Sequence, residues 1–156
     1  MTPGEFIAAI VPAARASMRT SGIPASFTIA QAALESSWGS SALAQQARNL
    51  FSVKADRAWH GPTVDMDSAE WVMGKRVMMP AHWRAYPTWQ ACLDDRAAFF
   101  RANPRYAHCF AERTGGGWAR AVAGAGYATD PAYADKIIAV MNSHGLSQYD
   151  QLETSK

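Results

Sequence analysis

Ala33-Leu34-Glu35-Ser36-Ser37-Trp38-Gly39 is the stretch on which the reading of this chain turns. Phe27, Ala30, Ala33 and Leu34 recur ahead of it at helical spacing and Gly39 stops the pattern, so a helix is predicted over 26–36. Glu35 then falls in the last turn, where the helix macrodipole disfavours a negative charge. An apolar helix face and the neighbouring Trp38 would also desolvate it. Both effects raise a carboxyl pKa, as a general acid working near neutral pH requires. An ordinary solvated glutamate closing a helix fits the same residues.

Outward from this segment the chain reads as helices interrupted once. Phe6, Ile7, Ile10, Val11, Ala14 and Met18 set a first helix over 3–18, with a kink expected at Pro12. A short helix is expected over 41–46. From Phe51 to Tyr86 the composition shifts to Val, Trp, Met and Thr, and two strands, 63–72 and 75–86, are predicted around a turn at Met73-Gly74. Helix returns over 87–101 and 104–110. Gly115-Gly116-Gly117 reads as a loop, followed by a helix over 118–125. A last helix is expected to start with Asp130 as N-cap and Pro131 at the first position, and to end at Gly145. The fold class is mainly α, of the α+β kind: one helical domain over 1–146 with a β-hairpin lobe over about 51–86, then a polar tail over 147–156.

The predicted first strand places Val64, Met66, Ser68, Glu70 and Val72 on one face, and Asp65 and Asp67 on the other. Glu70 is thus a lone carboxylate on a mostly apolar strand face. It reads either as the second carboxylate of a glycosidase pair or as an edge charge that blocks aggregation. Tyr127 stands in a glycine-bracketed turn, Gly124-Ala125-Gly126-Tyr127-Ala128-Thr129-Asp130, a place for a presented side chain or a packing one. Of the six tryptophans, Trp59, Trp71, Trp83, Trp89 and Trp118 divide between core and sugar stacking.

Charge and composition narrow the function classes. The chain has 156 residues, a net charge of +2 and no charge run, so a dedicated nucleic-acid binder is not suggested. The pI near 8.7 suits an acidic polymer. The four histidines are scattered, and neither metal nor cofactor is expected. Cys92 and Cys109 read as two buried thiols or, in an oxidising compartment, one bridge. No transmembrane segment and no secretory signal peptide is legible.

Four ordered blocks carry a resemblance: Ala33 to Gly39, Asn49-Leu50-Phe51-Ser52-Val53-Lys54-Ala55, Asn103-Pro104-Arg105-Tyr106, and Ala125-Gly126-Tyr127-Ala128-Thr129-Asp130-Pro131-Ala132-Tyr133-Ala134. Together they resemble glycoside hydrolase family 73, the β-N-acetylglucosaminidase domains of flagellar peptidoglycan hydrolases and autolysins, over nearly the whole chain. The resemblance implies a lysozyme-like helical fold and cleavage of the β-1,4 bond between N-acetylglucosamine and N-acetylmuramic acid. A muramidase or lytic transglycosylase on the same fold, or an inactive glycan-binding module, are the rival readings. By the same resemblance Glu35 matches the general acid, Glu70 the lobe glutamate and Tyr127 a site tyrosine. Trp38, Trp71 and Tyr133 are expected to contact substrate. Ser37 and Ser52 stand where the family usually has glycine, and Glu70-Trp71-Val72-Met73-Gly74 replaces the usual Glu-Tyr-Glu-Asn-Gly tip. Action on peptidoglycan without a signal peptide implies a type VI secretion effector or a phage endolysin, acting as a monomer in the periplasm or wall of a target bacterium. An effector would have an immunity protein plugging its cleft.

Overall fold

The computed structural model describes residues 1–151. Helix α1 spans Pro3–Ser21, α2 Ala25–Ser36 and α3 Ala42–Ala47. Strands β1 (Thr63–Asp65), β2 (Ser68–Val72), β3 (Lys75–Met79) and β4 (His82–Arg84) follow. Then come α4 (Trp89–Ala102), a 3-10 helix over Pro104–Ala111, α5 (Gly115–Gly124), α6 (Tyr133–Ser143) and a second 3-10 helix over Leu146–Asp150. The architecture is the helical domain with one hairpin lobe that the hydrophobic periods imply.

Helix α2 is the axle of the core. Ten of its twelve residues are buried, including Phe27, Ile29 and Ala33, because α1, α5, α6 and the last 3-10 helix all pack on it. Its N-cap, Pro24, makes no side-chain cap. The vacancy is filled from the far end of the chain: Asp150 accepts from the Ser26 backbone N–H at 2.7 Å and from its hydroxyl at 2.6 Å. A carboxylate at a helix N-terminus is stabilising. The segment expected as the start of a polar tail is therefore part of the fold up to Asp150, with Leu146 buried. The rest of that expected tail, 152–156, lies outside the described residues.

Three local expectations change. Helix α1 ends three residues later than expected, at Ser21, and Pro12 within it lies with Ala8 on the exposed face. The Ala8 carbonyl that loses its partner there can turn to water. The glycine triplet is the first turn of α5, not a loop: the Thr114 hydroxyl caps the Gly117 N–H at 3.0 Å. A Cβ on Gly115 would stand 2.2 Å from Ser26 Oγ and 2.5 Å from Met141 Cε, so glycine lets α5 begin hard against α2 and α6. Helix α6 begins at Tyr133 rather than Pro131, because Asp130 closes a turn on the Ala132 N–H at 2.9 Å instead of capping the helix directly. Cys92 and Cys109 are both free and buried, so the bridge is not formed. Burial pushes the Cys92 thiol up to about 12.

The hairpin keeps one register throughout. Thr63 pairs with Arg84 and Val72 with Lys75, and both fit one antiparallel ladder. It is divided in two at Met66-Asp67 and Pro80-Ala81, where Pro80 has no N–H to give. Met73 and Gly74 make the turn with φ of 51° and 79°, both positive as a tight hairpin turn requires. The two halves are held differently. The lower half, β1 and β4, seats Trp83 on Leu43 and Ala47 of α3 in a small second core. Arg84 donates to Asp95 of α4 at 2.9 Å, and the Tyr86 hydroxyl donates to the same carboxylate at 2.5 Å. The upper half, β2 and β3, exposes Trp71, Met73, Met78 and Met79.

Candidate active site

The chain leaves α2 through three successive residues with positive φ: Ser37 at 51°, Trp38 at 58° and Gly39 at 78°. The Trp38 N–H returns to the Ala33 carbonyl at 2.9 Å, and the Gly39 N–H is capped by Ser36 Oγ at 2.9 Å. At Gly39 a Cβ would also meet the Phe6 ring at 3.0 Å. This sharp reversal ends the helix one residue past Glu35 and leaves that carboxyl half-buried. Its Oε1 accepts from the Tyr133 hydroxyl at 2.8 Å. Burial raises the Glu35 pKa, and the Tyr133 hydrogen bond opposes the rise in part. The direction matches the sequence expectation. Trp38, however, packs edge-to-face against Phe6 and His144, ring centroids 6.0 and 4.9 Å away.

Glu70 sits on β2 in the state opposite to Glu35. Its Oε1 accepts from Lys54 Nζ at 2.7 Å and from Ser68 Oγ at 3.1 Å. The Lys54 ammonium, first by its hydrogen bond, holds the Glu70 carboxyl below the usual carboxylate range. Asp65 and Asp67 are exposed on the other face, and Asp65 bonds His82. The alternation of faces read from the sequence is thus the one observed.

Tyr127 lines a cavity of about 200 Å³ together with Phe51, Ser52, Val53, Asp95, Arg96 and Phe99. Its ring lies 5.7 Å from that of Tyr133. Burial, and after it the nearby Glu35 charge, push both tyrosine hydroxyls far up, so both remain neutral donors at any working pH. Tyr133, expected to touch substrate, is buried; its hydroxyl is engaged by Glu35 and by Gln31 Nε2 at 3.0 Å. Trp71 is 73% exposed on the hairpin. Among the other tryptophans, Trp83 and Trp118 are buried in the cores, and Trp59 packs on Tyr86 and Arg84.

Three residues that partner these side chains had no assigned role in the sequence. Lys54 stood inside a quoted block, but nothing local marks it as the partner of Glu70, sixteen positions on. Gln31 is one helical turn before Glu35, a spacing that puts both on one face of α2. Arg96 occupies an apolar-period position of α4 and is buried. That placement was its one signal. The two carboxyls are pushed in opposite directions, so that over one pH interval Glu35 is protonated while Glu70 is ionised.

Residues 11–146 match the glucosaminidase family, described as mannosyl-glycoprotein endo-β-N-acetylglucosaminidase. The chain is 37% identical over 144 residues to the peptidoglycan hydrolase FlgJ of Vibrio parahaemolyticus, covering 89% of this chain and 46% of that one. It is 40% identical over 135 residues to the exo-glucosaminidase LytG of Bacillus subtilis, covering 83% and 47%. It thus spans about half the length of these relatives. The catalytic domain of the autolysin Auto of Listeria monocytogenes superposes with a TM-score of 0.86 at 31% identity, covering 95% of this chain and 87% of that one.

Proposed function

Since the chain belongs to the glucosaminidase family, glycoside hydrolase family 73, we propose that it hydrolyses the β-1,4 bond between N-acetylglucosamine and N-acetylmuramic acid in peptidoglycan glycan strands, as an endo-acting enzyme. The observation that carries this reading is the half-buried Glu35 held by Tyr133 with its pKa raised; the hairpin lobe supplies a second carboxylate, Glu70, which Lys54 keeps ionised. Relatives whose names specify peptidoglycan hydrolase and glucosaminidase activity support the substrate class.

In the proposed mechanism protonated Glu35 gives its proton to the glycosidic oxygen as the C–O bond breaks. Positive charge develops on the N-acetylglucosamine ring, and a water adds to its anomeric carbon from the opposite face. Glu70 takes the proton from that water. Lys54 keeps Glu70 ionised, and Oε2 of Glu70 is free of protein partners among the described residues. Tyr127, lining the cavity, orients the acetamido group. Tyr133 positions Glu35 rather than touching sugar, while the exposed Trp71 and the half-buried Trp38 contact flanking sugars. The proposed setting is the wall or periplasm of a target bacterium. An effector with an immunity protein over the cleft is favoured over a phage endolysin, and gene neighbourhood tests that choice.

The experiment is digestion of purified sacculi, with mass spectrometry of the new ends. Reducing-end N-acetylglucosamine at internal positions supports the reading. A reducing or anhydro muramic end would reassign the enzyme to muramidase or transglycosylase chemistry, and monosaccharide release alone would make it exo-acting. No turnover would leave a binding module. If proton NMR finds the β-anomer as first product, Glu70 loses the role of base to the substrate's own acetamido oxygen.

A further inference from the structure

A single directed chain of hydrogen bonds runs from α4 through the core to Glu35. Arg96 Nε donates to Gln31 Oε1 at 2.9 Å, Gln31 Nε2 donates to the Tyr133 hydroxyl at 3.0 Å, and that hydroxyl donates to Glu35 Oε1 at 2.8 Å. A second Arg96 nitrogen, Nη2, donates to Thr28 Oγ1 at 2.8 Å. Thr28, Gln31 and Glu35 lie at three- and four-residue spacing on α2, so one helix face carries the acceptors and the acid. Arg96 is buried to 2% exposure among the rings of Phe27, Phe51 and Phe100, and no carboxylate pairs with it among the described residues. Burial draws it down to about 10, so it is still a cation at neutral pH. A buried cation without a counter-ion is costly, and apolar side chains of similar volume fill such positions at lower cost.

We propose that Arg96 is a positioning residue which, through Gln31 and Tyr133, fixes the oxygen of Glu35 on which the catalytic proton sits. The inference rests on Glu35 being the general acid. Guanidinium can only donate. Facing it, Gln31 must present its carbonyl oxygen and turn its NH₂ toward Tyr133. The Tyr133 oxygen then accepts from Gln31, and its own proton must go to Glu35 Oε1. That oxygen is occupied as an acceptor, so the acid proton belongs on Oε2, which has no protein partner among the described residues. When Oε2 gives its proton to the glycosidic oxygen and the C–O bond breaks, the carboxylate left behind is met by a hydrogen bond already in place. Without a donor at position 96 the glutamine is free to rotate. Its carbonyl would take the Tyr133 proton, and Glu35 would turn its own proton inward on Oε1, away from substrate. The ionisable groups facing Glu35 and its partners are Tyr133 on α6, Tyr127 and Tyr106 from the adjoining segments, and Cys92, Arg96 and, across the cavity from Tyr127, Asp95 on α4.

The test compares kcat, KM and the pH profile of sacculus hydrolysis in wild type, Arg96→Met, Arg96→Lys and Gln31→Glu, with Glu35→Gln as reference. Gln31→Glu keeps Arg96 but gives Tyr133 a competing carboxylate, so it breaks the last link without emptying the core. Arg96→Met and Gln31→Glu are each expected to lower kcat roughly tenfold with little change in KM. Both should also move the basic limb of the profile upward, because Glu35 loses the bond that favours its ionised form. Arg96→Lys keeps a donor and should recover both. Wild-type kcat and limb in a folded Arg96→Met or Gln31→Glu, or an Arg96→Lys that behaves as Arg96→Met, overturns the proposal. Should both core variants fail to fold, NMR of the wild-type side-chain amide decides: Gln31 amide protons close to Arg96 Hε rather than to Tyr133 also overturn it. Activity retained in Glu35→Gln would instead remove the acid assignment itself.

Discussion

In the helical body, Glu35 sits at the end of a helix wrapped on all sides, and burial makes its carboxyl hold its proton to higher pH. In the hairpin lobe, Glu70 sits on an exposed strand, and one lysine makes the same functional group give its proton up. The two regions tune by different physics. Burial acts through desolvation, which needs the whole tertiary core; the lobe acts through a surface ion pair, which needs one neighbour and is open to screening. A strong effect from the body and a softer one from the lobe are the expected consequences.

Glu35→Gln should break the comparison most severely, lowering sacculus hydrolysis ~10²–10⁴-fold in turbidity assays while far-UV circular dichroism is unchanged. Activity within tenfold of wild type would remove the acid. The same variant should be more stable than wild type at pH 7. A folded-state pKa raised above the unfolded one contributes stability that is complete below the unfolded pKa and is lost as pH rises through the folded pKa. The Gln variant escapes that loss, so the difference in melting temperature should vanish below about pH 4, near the unfolded glutamate pKa.

Glu70→Gln is expected to lower kcat by ~10²-fold while binding of short glycan fragments, read by calorimetry, changes little. Fragment binding lost along with kcat would make Glu70 a docking residue. Lys54→Met should shift the acidic limb of kcat/KM upward, since Glu70 then ionises at higher pH, and 0.5 M salt should shift wild type in the same direction; a salt-independent limb would place its tuning elsewhere than in the exposed pair.

Tyr133→Phe sharpens the body's side of the contrast. It removes the hydrogen bond that opposes burial, so the basic limb should move to higher pH, and a downward move would contradict the geometry. The smallest effect belongs to the backbone. Ser37→Gly and Ser52→Gly relieve left-handed positions at φ of 51° and 55°. Each should stabilise by up to about 1 kcal/mol in chemical denaturation, offset by the added freedom of the unfolded chain. Destabilisation at either site would mean that the serine makes a compensating contact.

The elements legible in the sequence are those whose instructions are local. Phe6, Ile7 and Ile10 mark the buried face of α1, and Met73-Gly74 marks the hairpin turn. The register that puts Glu70 and Val64 on one face was readable because strand alternation has a period of two. Where local reading failed, a distant residue intervened. The glycine triplet looked like a loop because the helix it opens is set by Thr114 and by room against Ser26 and Met141. The C-terminal residues looked like a tail because Asp150 finds its partner, Ser26, 124 positions away.

The sequence by itself determined the family, the helical frame, the single lobe and the two glutamates, since periodicity, caps, turns and ordered blocks all lie within a few residues of one another. Tertiary structure decided between the two readings of Glu35, raised or solvated, and gave Glu70 the lysine that holds it ionised. Glu35 meets Tyr133 across 98 positions, and Arg96 meets Gln31 across 65. Contacts of that span carry no local signature, because they depend on where α2, α4 and α6 come to rest after the core has closed around them.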